Sequence, residues 1–293
     1  MLHAERGALA DAARYRHPVP GWPGTWIESS VHMRWWTTSR RRLTKLVPLP
    51  VLASDVSDVV YLNWWVDPEA LPAVPAGYRY WVRDGHTPFT ILTYRHGHFG
   101  PAILGAARKI FPSPLQSNWR WYVQRDTDPD DAVPTVLFAR NIMSSLAHVV
   151  GARLSSDAMQ PHLPKEFVHR QQGVEFETWI APGHGSAPAL ESILTRTGNV
   201  EGDVEWWSGR FAGREEALRF LCCQDSAISV SPDGSAGLAR IHLSANTGTI
   251  VPLAYRHVRC PLLGNMGCDS RGPFCFLLPY VPFKAISEQL LFP

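Results

Sequence analysis

From Val59 onward the chain runs in short apolar or alternating segments cut by Gly, Pro and Asp turns, the signature of strands rather than helices. The alternation predicts strands over 78–82, 89–94, 118–124, 135–140, 174–180, 204–207, 227–230 and 238–243. Helical spacing occurs in three places. Ile103, Ala107 and Ile110 share a face between Gly100 and Pro112, and Ile142, Leu146 and Val149 or Val150 share another. Leu218, Leu221 and Cys222 form the third in "REEALRFLCC", whose acidic first turn suits the helix dipole. Many strands and few helices predict a mainly β or α+β class, and strands this numerous must close or pair their edges, giving a barrel or sandwich.

Residues 1–50 read as an N-terminal leader and 51–293 as the main domain. The leader carries the proline-rich "HPVPGWPGTW", then "SVHMRWW" and the basic "SRRRLTK". The basic run is too short for a phosphate-binding patch and reads as a solvated face.

Composition narrows the function classes. At 45% hydrophobic and 18% charged residues the chain is globular, and a net charge of +2 gives no global field to draw it to nucleic acid. No run approaches the roughly 18 apolar residues of a membrane span, and no signal-peptide core precedes the domain. Five cysteines, an odd number with Cys222 and Cys223 adjacent, argue for reduced thiols and a cytoplasmic setting. Twelve tryptophans include the pairs Trp35–Trp36, Trp64–Trp65 and Trp206–Trp207.

The segment "SNWRWYV" concentrates the chemistry. On a strand Asn118, Arg120 and Tyr122 point one way and Trp119, Trp121 and Val123 the other. An arginine between an amide and a phenol can clamp a carboxylate or phosphate; the plain alternative pairs Arg120 with a structural acid. The following "RDTDPDDAVP" is acidic, which counts against nucleic-acid binding. Its Asp126, Asp128 and Asp130 imitate a calcium loop, but Asp131 and Leu137 occupy the glycine and glutamate positions, so it reads as a hairpin loop. His96 and His98 lack a third ligand, and Cys260, Cys268, Cys275 and His257 lack zinc spacing, so no metal is expected.

Four segments, in order over residues 59 to 260, resemble the YqjF-like proteins, a group placed in the acetoacetate decarboxylase-like superfamily. They are "LNWWVDPEALPAVPAGYRY", "SNWRWYV", "VVGARL" with Arg153, and "EALRFLCCQDSAIS…GLARIHL" with Leu218, Phe220, Leu221 and His242. The resemblance implies a closed antiparallel β-barrel with a few short flanking helices and an interior pocket, but no established reaction. The superfamily's chemistry is a lysine of depressed pKa forming a Schiff base with a β-keto acid, assisted by a glutamate and an arginine. Laid along that pattern, Met159 and Gln160 stand where paired lysines would be, and Gln116 stands in place of the glutamate. A thioether cannot form an imine, and an amide cannot cycle a proton.

The chain therefore reads as a barrel that binds a small anionic, carboxylate-type ligand without cofactor. Arg120 and Arg153 would hold the anion, Asn118, Tyr122 and Gln116 would orient it, Met159 would line the pocket, and tryptophans would form its walls. Two alternatives stand beside this. One is a lyase or decarboxylase acting on a keto acid through Lys165, the only one of four lysines near the pocket segment. The other is a protein- or membrane-interaction module using the Trp pairs and the basic leader, with a homo-oligomer left open.

Overall fold

The computed structural model describes residues 2–44, 50–129, 132–198, 201–269 and 272–292. Lys45, Asp130 and Asp131 lie outside the described residues.

Seven strands close into a barrel: β1 (Leu52–Val66), β3 (Thr87–Arg95), β5 (Leu115–Arg125), β6 (Thr135–Met143), β10 (Ser226–Val230), β11 (Ala236–Leu243) and β13 (Phe274–Phe292). They pair in that order, and β13 returns to β1 to complete the ring. All these pairings are antiparallel except β6 with β10. Short β2 (Tyr78–Tyr80) extends β5, and β4 (Gly100–Pro101) pairs with the start of β1. A wing of β12 (Val251–Arg259), β9 (Leu190–Arg196), β8 (Glu175–Ala181) and β7 (Glu166–Gln172) grows from the first half of β13.

The wing covers one flank of the barrel, so β1, β3 and β5 are buried on both faces. Outward residues Leu62, Trp64, Ile91, Trp119 and Trp121 pack against Phe176, Ile180, Leu194 and Leu253 of the wing. Inward residues Tyr61, Trp65, Leu92 and Tyr122 form a second cluster with Trp206, Trp207 and Leu221. Each Trp of the 64–65 pair thus belongs to a different core, as the period of 2 requires.

The two longest strands change phase midway, which is why alternation alone did not find them. Inward positions on β1 run Val56, then Val59 and Tyr61; on β13 they run Phe276 and Leu278, then Val281 and Phe283. The breaks face each other. Asp58 takes a φ of 55°, and the continuous β1–β13 register from Ser57↔Tyr280 to Val59↔Leu278 places Pro279 opposite it. Pro279 has no N–H to give the ladder, and Asp58 and Pro279 are left out of the pairing, while on the other edge of β1 the ladder with β3 shifts between Ser57 and Val60.

Residues 204–207, predicted as a strand, lie in helix α5 (Glu201–Trp207). Here Trp206 and Trp207 are both buried: Trp65 Nε1–H donates to the Trp206 carbonyl, and Trp207 meets Phe274 edge-on. The other predicted helices form α4 (Leu146–Ser155) and α6 (Arg214–Cys222), with Ile142 remaining in β6. Residues Ala102–Ile110 form 3-10 turns kinked at Gly105 rather than one α-helix.

The first 44 residues contribute α1 (Leu2–Ala13), α2 (Trp22–Val31) and α3 (Arg34–Thr44), packed on the barrel. Leu9 joins the wing-side core, while Tyr15 and Val31 pack with Met143 and Val149. The basic run departs from its expected solvated face. Arg40, 8% exposed, donates to Asp157 Oδ1 at 2.6 Å, and Arg41 reaches both Asp157 and Asp233. No helix among the described residues is long and apolar enough to cross a membrane.

Candidate functional site

The barrel interior is hollow over about 600 Å³. Its inner end is formed by buried Tyr61, Arg120 and Cys222, and its outer end by exposed Pro50, Gly151, Ser155 and Ile286. The walls between are mostly apolar, with Leu92, Phe99, Phe111, Phe138, Ile241 and Phe283 prominent. No tryptophan of the described residues lines it, contrary to the expected Trp walls. Trp119 and Trp121 face the wing, and the Trp206–Trp207 pair sits in the core beyond the closed end. Of the three pairs only Trp35–Trp36 is exposed.

Strand β5 brings Gln116, Asn118 and Arg120 onto the cavity wall at every second residue. A bulge in the β5–β6 ladder, between Trp119↔Arg140 and Arg120↔Phe138, falls at the arginine. The extra residue is Ala139 on β6, so β5 keeps its alternation through Arg120. Arg120 is 4% exposed, and its Nη2 donates to the Leu221 carbonyl at 2.6 Å and to Gln224 Oε1 at 3.2 Å. The guanidinium lies 5.9 Å from the Tyr61 ring and 5.5 Å from the Tyr122 ring. Its Nε–H is buried without an acceptor, and no carboxylate of the described residues pairs with it. The structural-acid alternative is therefore absent from this set.

Tyr122 lies on the same face but below the cavity, fully buried and not part of its lining. Asn63 Nδ2 donates to the Phe274 carbonyl, so Asn63 Oδ1 accepts from Thr90 Oγ1 at 2.7 Å. Thr90 then has only its lone pairs for Tyr122 OH, 3.0 Å away, and Tyr122 must donate. Its hydroxyl is thus occupied between Thr90 and the Arg120 guanidinium, from which its oxygen accepts.

One wall carries a polar chain that sequence reasoning did not assemble. Gln116 Nε2 donates to Asn118 Oδ1 and to Asn141 Oδ1, both at 2.8 Å. Gln116 Oε1 is therefore the acceptor facing His96 Nε2 at 2.5 Å, which fixes the proton on Nε2. Nδ1 accepts from Ser54 Oγ at 2.8 Å. Burial holds the His96 imidazole neutral, with its pKa lowered to about 4 against a partial upward pull from Gln116. Asn118 Nδ2 donates to the Tyr94 hydroxyl at 3.0 Å. Tyr94 and His96 both line the cavity. Their spacing of two in "TYRHG" marks a shared strand face, and the ladder pairing of Tyr94 with Gln116 is what brings them to the site.

Met159 lines the cavity and receives Asn141 Nδ2 at its sulfur. Its segment runs hard against β11: a Cβ on Gly237 would lie 2.5 Å from the Asp157 carbonyl carbon. Near the outer end Glu288 accepts from Ser156 Oγ at 2.5 Å and from the Asp157 amide. Burial raises its carboxyl above the ordinary range. At the inner end burial pushes the Cys222 thiol up to about 12, which keeps it protonated.

Arg153 and Lys165 are placed elsewhere. Arg153 is buried behind the site, where it donates to the carbonyls of Pro161 at 2.6 Å and Ala13 at 3.0 Å beneath the Tyr15 ring. Desolvation lowers its pKa to about 9. Lys165 is exposed just before β7, its amide donating to the Ala181 carbonyl and its Cβ against Gly183. Lys109 and Lys284 are also exposed, and none of these three lines the cavity. Among the described residues no cluster of three His, Cys, Asp or Glu side chains forms a metal site.

No family model and no curated protein matches the sequence. Solved structures share its fold. Acetoacetate decarboxylase from Legionella pneumophila is similar at a TM-score of 0.53 and 10% identity, over 83% of this chain and 88% of that one. An acetoacetate decarboxylase-like enzyme from Sphingomonas wittichii RW1 gives 0.52 and 11%, over 84% and 95%. The enduracididine biosynthesis enzyme MppR, complexed with pyruvate, gives 0.50 and 11%, over 84% and 91%. The chain thus has the acetoacetate decarboxylase-like barrel.

Proposed function

We propose that this barrel binds a small anionic ligand of carboxylate type in its interior, with Arg120 as the charged anchor. The observation that carries the reading is a buried guanidinium on the cavity wall whose Nε–H has no acceptor and which has no acidic partner among the described residues. A desolvated cation of this kind is costly, and an anion entering the cavity would offset that cost. Asn118 keeps one amide N–H beyond its bond to Tyr94, and Gln116 fixes its orientation. Tyr122 acts from below, through its ring and its hydroxyl. A largely apolar cavity with a few convergent polar groups is the usual form of a small-molecule site.

Two further considerations support the reading. MppR, a protein of the same fold, is described in complex with pyruvate, a carboxylate. The four sequence segments that resemble YqjF-like proteins include the strand that carries Arg120, and we assign the chain to that group on those segments.

Thermal shift with a panel of carboxylates tests the proposal. Wild-type protein should be stabilised, and Arg120→Ala should lose the shift while retaining its fold by circular dichroism. An equal shift in the variant sinks the assignment.

A further inference from the structure

The cavity has two ends of opposite character. Arg120 stands at the inner end and the carboxyl of Glu288 near the outer end, with Phe99, Phe111, Phe138 and Phe283 between them. An anion is drawn inward and disfavoured at the mouth. The region between the ends offers an organic body few polar partners.

A second donor lines the same cavity. The Tyr94 hydroxyl accepts Asn118 Nδ2–H at 3.0 Å, so its own proton remains without a partner among the described residues. Tyr94 lines the cavity, its ring belongs to the same inner core as Tyr61, and it lies within the field of the Arg120 guanidinium. This separates the two tyrosines. The Tyr122 proton is bound by Thr90, and the Tyr94 proton is available.

Volume decides the size of the body. A three-carbon keto acid has six heavy atoms; at roughly 30 Å³ each, the share of one water in the liquid, it fills about a third of the space. A ligand that fills a cavity of about 600 Å³ needs more.

We propose that the ligand is an amphipathic monocarboxylate with an apolar body of roughly ten to twenty heavy atoms, its carboxylate held by the Arg120 guanidinium and Tyr94 O–H. The assignment rests on the anion-binding reading of Arg120 and adds the apolar body and the tyrosine. The body runs along the phenylalanine-lined wall toward Ile286 at the outer end.

Calorimetric titration of the full chain, freed of bound lipid, with propanoate, hexanoate, decanoate, pyruvate and decanol tests it. Affinity should rise about threefold to fourfold per added methylene until the cavity is full. Decanol should bind at least about tenfold more weakly than decanoate, and Tyr94→Phe should weaken decanoate about tenfold without weakening decanol. Pyruvate binding as tightly as decanoate overturns the apolar body while leaving the Arg120 reading intact. Decanol equal to decanoate, or no acid binding at all, overturns both. Unchanged decanoate binding in Tyr94→Phe removes the tyrosine from the site. Arg120→Lys, which keeps the charge but not the planar fork of donors, should fall between wild type and Arg120→Met, and equality with wild type overturns the guanidinium contact.

Discussion

His96 Nε2 lies 2.5 Å from Gln116 Oε1, with both Gln116 amide protons already given to Asn118 and Asn141. The amide is thus polarised one way only, with its acceptor toward the imidazole and its donors toward two other acceptors. A carboxylate at this position would reverse the last two contacts. Gln116→Glu should therefore cost on the order of 2 kcal/mol or more at neutral pH, by leaving two buried oxygens facing a third. The same change should draw a proton onto His96 and raise its pKa from about 4. Imidazole chemical shifts followed by NMR across pH check the second effect, and chemical denaturation checks the first.

The neutral His96 also sets an acid limit for the fold. Its folded-state pKa, lowered to about 4, lies below the unfolded value near 6.5. As pH falls through 6.5 the unfolded chain gains a proton that the folded one does not, so stability drops until the folded imidazole titrates near 4. The full effect is on the order of 3 kcal/mol for His96 alone. Burial lowers His162 and His169 in the same direction. Unfolding free energy should thus decline between about pH 6.5 and 4, and His96→Gln should flatten part of that slope.

How much of this was readable beforehand follows from register. Alternation within "SNWRWYV" sufficed to place Asn118, Arg120 and Tyr122 on one face, because β5 keeps a single phase along its length, while Gln116 before it was marked by the resembled pattern. β1 and β13 do not, and the paired irregularity at Asp58 and Pro279 hid strands of 15 and 19 residues. Tyr94 and His96 were legible as a strand face but not as part of the site, since only the ladder pairing of Tyr94 with Gln116 brings them beside Asn118. Arg153 shows the opposite case. It belongs to a segment shared with the resembled group, yet its partner Ala13 sits 140 residues away, in the helices read as a leader.

Imine chemistry has a direct check. Lys109, Lys165 and Lys284 are exposed and away from the cavity. Borohydride reduction in the presence of pyruvate or acetoacetate should therefore give no adduct on any of these lysines. Intact mass followed by peptide mapping reads the outcome. A reduced adduct on Lys165 would restore the lyase alternative and require the segment before β7 to move.

The helices before residue 45 are fastened to the barrel at two buried points, and these should separate from ligand binding. Asp157, itself buried, pairs with Arg40 and Arg41, and Arg153 holds the Ala13 carbonyl from the other side of α4. Asp157→Asn leaves Arg40 without its counter-charge, so a loss of about 3 to 5 kcal/mol is expected. Arg153→Met abandons three carbonyl acceptors, those of Ala13, Gln160 and Pro161, and should loosen the same helices. Hydrogen exchange should then speed up in α1 to α3 while β5 stays protected. Neither residue reaches the Arg120 end of the cavity, so carboxylate affinity at low temperature should change less than twofold. A large affinity loss in Arg153→Met, with α1 to α3 still protected, would instead return that arginine to the ligand site.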